Sequence, residues 1–427
     1  MRILITAAGS RGDVVPYTGL GVRLLAAGHE VALATHDAYA DAVRAAGLEH
    51  RALPADPRRA APVPTGAGPE KARGQHALMA RAAAFLEELG GGLADAVAPG
   101  ADLLLLSTTT APLGWQLSEA TGVPSLGAYL QPTHPTREFP PVMGGARALG
   151  RWGNRLAGAV SLKVVDRLYA GPVRALRTRL GLPPAALSAL RAREEAADRP
   201  VLHGFSPVLV PRPGDWRPGL EVTGNWWPYA APDDRLSPAL ADFLAAGPPP
   251  VFIGFGSMAA GEGERLGELT VRALRRAGVR GILQAGWAGL APGEQADGIL
   301  AIGDAPHTLL FPGTAAVVHH CGAGTTAAGL RAGVPTVPVP VTADQPFWAA
   351  RLTALGAATA PLPLASLTGP SAVDRLAAAI RTAVHDTGMR ERARAAAVRM
   401  AAEDGAGRVA RAVERIAEGG PARPVTG

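Results

Sequence analysis

Ala316-Val317-Val318-His319-His320-Cys321-Gly322-Ala323-Gly324-Thr325-Thr326 passes from a short apolar run, through a glycine-rich turn, into a helical pattern that continues to Ala332. The first four residues have the length and composition of a buried strand. A strand that feeds a helix through such a loop is the repeating unit of a parallel α/β sheet. Ligands of these sheets bind at the carboxyl ends of strands, where loops lead into helix N-termini. Gly322 and Gly324 let the backbone approach a ligand. Together with a helix N-terminus, the hydroxyl of Thr325 and the imidazole of His320, they make an anion site suited to a diphosphate. A purely structural turn is the competing reading. Zinc is disfavoured because Cys321 is the sole cysteine and neighbouring histidines on a strand point to opposite faces.

The same alternation extends outward in both directions. Around this stretch, strands are expected at 251–255, 281–284 and 299–302, with helices at 264–277, 325–332, 345–355 and from 371 to the end. Earlier in the chain, strands at 3–7, 30–34, 102–107 and 123–129 alternate with helices at 14–27, 37–46 and 112–121, two of which end at Gly28 and Gly47. Between these series, 210–250 is rich in Pro, Trp and Gly, which marks a domain boundary. The expected organisation is α/β: a domain at 1–215, a linker at 216–235, a second doubly wound domain at 236–400, and a terminal helical segment at 401–427. The alternation weakens over 131–199, where Pro132-Thr133-His134-Pro135 and Gly144-Gly145 are turn-rich and helical patterns resume at 161–180. A long insertion of this kind forms a binding wall, and His134, Phe139 and Met143 are its candidate acceptor contacts.

Composition narrows the classes. Of 427 residues, 48% are apolar and 18% charged, which suits a folded enzyme rather than a disordered chain. The net charge of +6 comes almost wholly from Arg, since Lys71 and Lys163 are the only lysines. No dense basic run accompanies it, so no nucleic-acid partner is expected. One cysteine allows no intramolecular disulfide. Met1-Arg2-Ile3-Leu4-Ile5 enters a strand pattern at once, unlike a secretory signal, and no run reaches the roughly 18 apolar residues of a membrane span. The expectation is a cytoplasmic protein whose membrane contact, if any, is peripheral.

Two further segments carry chemistry. Ala8-Gly9-Ser10-Arg11-Gly12-Asp13 follows the first strand but is not the dinucleotide pattern G-x-G-x-x-G. Asp13 sits where a ligand arrives at the sheet. An inverting sugar transfer needs a base to take the proton of the attacking hydroxyl, and a carboxylate here could serve. The alternative is that Asp13 only caps the helix containing Pro16. After Gly333-Val334-Pro335 and the apolar run that follows, Asp344-Gln345 precedes another helix. An acid beside an amide offers sugar hydroxyls both acceptors and donors, and a helix cap is again the alternative. There is no Asp-x-Asp in the chain, so no metal is expected to hold the diphosphate.

These motifs resemble the GT-B-fold glycosyltransferases of family 1, most closely the branch of sterol glucosyltransferases and actinomycete natural-product glycosyltransferases. The resemblance is strongest over 248–367. It rests on Gly9-Ser10-Arg11-Gly12-Asp13, Phe255-Gly256-Ser257-Met258, Ala305-Pro306-His307, the His319–Thr326 run and Asp344-Gln345. It implies two Rossmann-like domains with a cleft between them, the first binding a small hydrophobic acceptor and the second a dTDP- or UDP-sugar. It implies Asp13 as general base, with Ser10 and Arg11 at the reaction centre. Ser257, His320, Gly322, Gly324 and Thr325 would hold the diphosphate, His307 would belong to the donor site, and Asp344 and Gln345 would face the donor sugar. The last helix, near 406–417, would cross back to the first domain. In two places the chain departs from the plant-type motif: the ribose-binding Glu matches Ala328, and the base-stacking Trp matches Asp304, leaving Trp287 as a substitute stacking surface. Without the ribose Glu, a dTDP-sugar is at least as suitable as a UDP-sugar. Rival readings are a nucleotide-sugar epimerase on the same architecture and a non-catalytic auxiliary protein.

Overall fold

The computed structural model of the protein describes residues 1–54, 69–143, 147–256, 263–284, 295–296 and 298–418. The first domain contains β1 (Arg2–Thr6), β2 (Glu30–His36), β3 (Glu49–Leu53), β4 (Leu103–Leu106), β5 (Ser125–Tyr129), β6 (Val201–His203) and β7 (Leu220–Val222). The second contains β8 (Val251–Gly254), β9 (Gly281–Gln284), β10 (Gln295–Ala296), β11 (Ile299–Ile302), β12 (Ala316–His319) and β13 (Thr336–Pro338).

The first sheet has the order β3-β2-β1-β4-β5-β6-β7, with all pairs parallel. The second has the order β10-β11-β9-β8-β12-β13 and is parallel apart from the β10–β11 edge pair. Helices cover both faces, so central strands are apolar throughout, as in the four leucines of β4, none of them more than 1% exposed. The strand order reverses between β1 and β4 in one sheet and between β8 and β12 in the other. These are the two points at which loops part to leave a crevice.

The domains meet through aromatic packing. Phe139 and Phe205 of the first lie against Phe347 and Trp348 of the second, with ring centroids 5.3 and 6.0 Å apart. Arg351 Nε donates to the carbonyl of Leu209 at 3.0 Å. The last described helix, Gly405–Ala417, begins at a cap in which Asp404 accepts from Gly407 N at 2.9 Å. It buries Val409, Ala410 and Val413 in the same cluster as Leu20 and Leu24 of helix Pro16–Ala26, and so lies on the first domain.

Three expectations need correction. The first domain runs past 215, because β7 pairs in parallel with β6 and extends the first sheet into the supposed linker. The insertion at 131–199 is largely a single helix, Gly150–Arg179, followed by Leu187–Ala196. The helical pattern from 371 is three helices, broken at Asp386 and again before Gly405.

Candidate active site

On the first domain, the loop after β1 makes a single helical turn, Arg11–Val14, separate from helix Pro16–Ala26. Asp13 is therefore not the cap of the helix containing Pro16. Its carboxylate turns back onto the loop, where Oδ2 accepts from Ser10 N at 2.9 Å and Ser10 Oγ at 2.7 Å. Oδ1 accepts from Gln131 Nε2 at 3.3 Å. Gly9 adopts φ +140°, and a Cβ there would lie 2.7 Å from Asp13 Oδ2, so glycine is required for this approach. Gly9 N also donates to His36 Nε2 at 3.0 Å, tying the loop to the end of β2. Arg11 is exposed beside this turn.

On the second domain, the chain leaves β12 at His319 with the two histidine rings nearly perpendicular, at 85°. His319 is buried, and its Nδ1 accepts from Cys321 N at 3.0 Å. It braces the turn, in which Cys321 takes φ +64°. His320 faces the loop after β8. Its ring is so close to Gly256 and Gly322 that a Cβ on either would stand 3.0 and 2.7 Å from it. Burial holds the His320 pKa down to about 4, although a hydrogen bond to the Gly254 backbone raises it, so the ring is neutral at neutral pH. Gly322 precedes helix Ala323–Arg331, whose N-terminus carries no side-chain cap. The N–H groups of that turn, with Gly324 exposed and Thr325 half-buried beside them, are what an anion arriving at the helix end would meet.

Asp344 stands just before helix Gln345–Ala354, yet its carboxylate does not cap it. Oδ2 accepts from Trp348 Nε1 at 2.8 Å. Burial raises the Asp344 pKa, and the charge of Asp13 raises it further, so the two carboxylates confront each other from opposite domains. Gln345 is buried and its Oε1 accepts from Val341 N and Thr342 N at 2.8 and 3.1 Å, while its Nε2 makes no hydrogen bond among the described residues. It holds the loop that presents Asp344. His307 stacks on Phe311 with centroids 4.3 Å apart. Burial holds its pKa near 4, and among the neighbouring charges Arg11 of the first domain also lowers it. The loops after β1, β11, β12 and β13 therefore converge on one cleft. Ser257 and Trp287 lie outside the described residues, as does the Gly144-Gly145 pair.

The candidate acceptor residues separate. Phe139 is packed into the domain contact with Phe347. His134 is stacked on Tyr129 at 5.8 Å and set edge-on to His203 and Trp216, so it belongs to an aromatic cluster. Met143 alone of the three is open, at 57% exposure. Gln131 and His36 were not anticipated, and both support the Asp13 loop.

Several buried imidazoles have a consequence for stability. Burial lowers His203, His307 and His320 to about 4, against 6.5 when unfolded. The unfolded chain therefore takes up protons below about pH 6.5 that the folded chain does not. Their contribution to stability is full above that value and is lost as pH falls towards 4. The thermal midpoint should drop between roughly pH 7 and 5, before most carboxylates titrate. A midpoint that stays flat over that window would show these rings to be solvated.

Comparison with known proteins agrees with this fold. Residues 3–87 match the model of the glycosyltransferase family 28 N-terminal domain. Residues 293–416 match the erythromycin biosynthesis protein CIII-like C-terminal domain. The chain is 39% identical to the O-mycaminosyltylonolide 6-deoxyallosyltransferase of Streptomyces fradiae, over 98% of both chains. It is 32% identical to the sterol 3-beta-glucosyltransferase UGT80B1 of Arabidopsis thaliana, over 89% of this chain and 62% of that longer protein. Among solved structures, the glycotransferase of kitacinnamycin superposes with a TM-score of 0.71 at 24% identity, over 97% of this chain and 98% of the other.

Proposed function

The chain belongs to the family 1 glycosyltransferases of GT-B fold, and from that premise we propose that it transfers a sugar, with inversion, from a dTDP- or UDP-sugar to a hydroxyl of an apolar small molecule. The acceptor class is a polyketide, a peptide antibiotic or a sterol-like compound, and the names of two relatives carry a tylonolide and a sterol. The observation that carries the reading is that Asp13 and Arg11 of the first domain act electrostatically on Asp344 and His307 of the second, beside an uncapped helix N-terminus and the neutral imidazole of His320.

In this reading Asp13 removes the proton of the acceptor hydroxyl as its oxygen attacks the anomeric carbon. The bond to the diphosphate breaks on the opposite side, and the charge that develops there meets the N–H groups of the Ala323–Arg331 helix, the Thr325 hydroxyl and His320. Ser10, donating through N and Oγ, holds the Asp13 carboxylate, and Arg11 lines the approach. Asp344 offers its second oxygen to a sugar hydroxyl while Trp348 holds the first. No metal is assigned, because the helix terminus takes the place of the Asp-x-Asp carboxylates that the chain lacks.

The nucleotide is addressed by Ala328. It is partly buried against the same apolar cluster as Ala305, on the helix that starts at the diphosphate site, and its side chain can bond no ribose hydroxyl. A site that makes no bond to the 2′-hydroxyl has little means of rejecting deoxyribose. Calorimetry should give UDP and dTDP affinities within about tenfold of each other, a difference of about 1.4 kcal/mol. Ala328→Glu should shift the balance towards UDP. Failure of both nucleotides to bind would overturn the donor site, and a wild-type preference for UDP of several hundredfold would show that another residue reads the hydroxyl.

A further inference from the structure

Helix Gly150–Arg179 buries one face, including Tyr169, Val173 and Leu176, against the first domain. Arg177 fixes it in place. Its guanidinium donates to Gln116 Oε1 at 2.6 Å and to Glu119 at 3.0 and 3.1 Å. The opposite face is unusual. Trp152 is 76% exposed, and Leu149, Leu156, Val160 and Val164 are each more than half exposed. From Trp152 onward they recur every four residues, which on a helix makes one continuous stripe. An indole left in solvent at the head of such a stripe is not ordinary scatter of surface apolar residues.

The charges around the stripe have one sign. Lys163, Arg167 and Arg174 project from the same exposed side, and Arg151 stands at its start. None of the four is in an ion pair among the described residues. The guanidinium of Arg137 lies 4.5 Å from the centre of the Trp152 ring. Asp166 is the helix's only acid, and it is held by Arg191 at 2.6 Å. A two-fold contact between copies of this chain would set this cationic frame against itself. An anionic lipid surface satisfies both features, since it takes the apolar stripe into the acyl boundary and pairs the cations with phosphate headgroups.

We propose that the outer face of helix Gly150–Arg179 seats the protein peripherally on anionic membrane surfaces. No described helix is long and apolar enough to cross a membrane, so the contact lies in the plane of the interface. The proposal does not depend on the transfer chemistry, and its test needs no acceptor.

The test is co-sedimentation of the full chain with vesicles of phosphatidylcholine containing phosphatidylglycerol, and with phosphatidylcholine alone, at low salt. Wild type should partition to the anionic vesicles and only weakly to the neutral ones. Trp152→Ser with Leu156→Ser should reduce binding to anionic vesicles at least about tenfold. Lys163→Gln, Arg167→Gln and Arg174→Gln together should reduce it by roughly fivefold per charge. All these positions are exposed, so thermal melting should change little, and if the serine variant does not fold, the glutamine variant decides the matter alone. The proposal is overturned if wild type stays in the supernatant with anionic vesicles, or if both folded variants sediment as wild type does. It is also overturned if light scattering shows a wild-type dimer that the serine substitutions turn into a monomer, for then the face is a contact between copies.

Discussion

Asp13→Asn should lower turnover by on the order of 10²–10⁴ while leaving the affinity for dTDP and UDP unchanged. The substitution is close to isosteric. The remaining carbonyl oxygen can still accept from Ser10 N and Ser10 Oγ, and Gln131 can turn its amide to meet the new NH₂ group. The loop therefore keeps its shape and the melting temperature should change little, while the base is gone. Turnover measured at saturating acceptor, beside calorimetry of both nucleotides, separates the two roles. An active Asn variant would mean that Asp13 only braces the turn with Ser10.

His320→Ala should slow turnover by about 10²–10³ and weaken nucleotide binding as well. The imidazole lies between the loops after β8 and β12, against Gly256 and Gly322, and is neutral at working pH. Turned from the Gly254 backbone to a diphosphate oxygen, its single N–H can give a hydrogen bond without the cost of burying a cation. That bond should strengthen as charge develops on the leaving group, so both binding and chemistry depend on it. His319→Ala is the contrasting variant. His319 is buried and accepts from Cys321 N, so its loss should reduce thermal stability first. If His320→Ala bound and turned over normally, the diphosphate site would have to lie elsewhere.

Much of this architecture was readable from the residues alone, and the failures have physical causes. β4 and β12 are central parallel strands, and burial on both faces makes them apolar runs that cannot be mistaken for loops. β3, with the sequence Glu49-His50-Arg51-Ala52-Leu53, is an edge strand with half-solvated side chains, and its polarity concealed it. β6 and β7 are three residues each, too short to show alternation. The first third of helix Gly150–Arg179 was hidden by Gly150, Gly153 and Gly158, poor helix formers, of which Gly158 is packed against Pro135. At the site, Asp13 and His320 stood out because each lies in a loop between a strand and a helix. Their supporting residues did not, since Gln131 is 118 residues from Asp13 and His36 is 27 from Gly9. Only the fold brings them together. Phe139 misled for a related reason: an aromatic residue in an insertion looks like a binding wall until a second domain is found packed against it.

The central claim is group transfer from a nucleotide sugar to a hydroxyl. Mass spectrometry of the protein with mixed dTDP- and UDP-sugars, a panel of hydroxylated apolar acceptors and EDTA tests it most directly. The account predicts an acceptor heavier by one glycosyl residue, with one nucleoside diphosphate released per glycoside and activity retained in the chelator. Donor converted to an isomeric nucleotide sugar, with every acceptor unmodified, would contradict it and point to an epimerase on this fold.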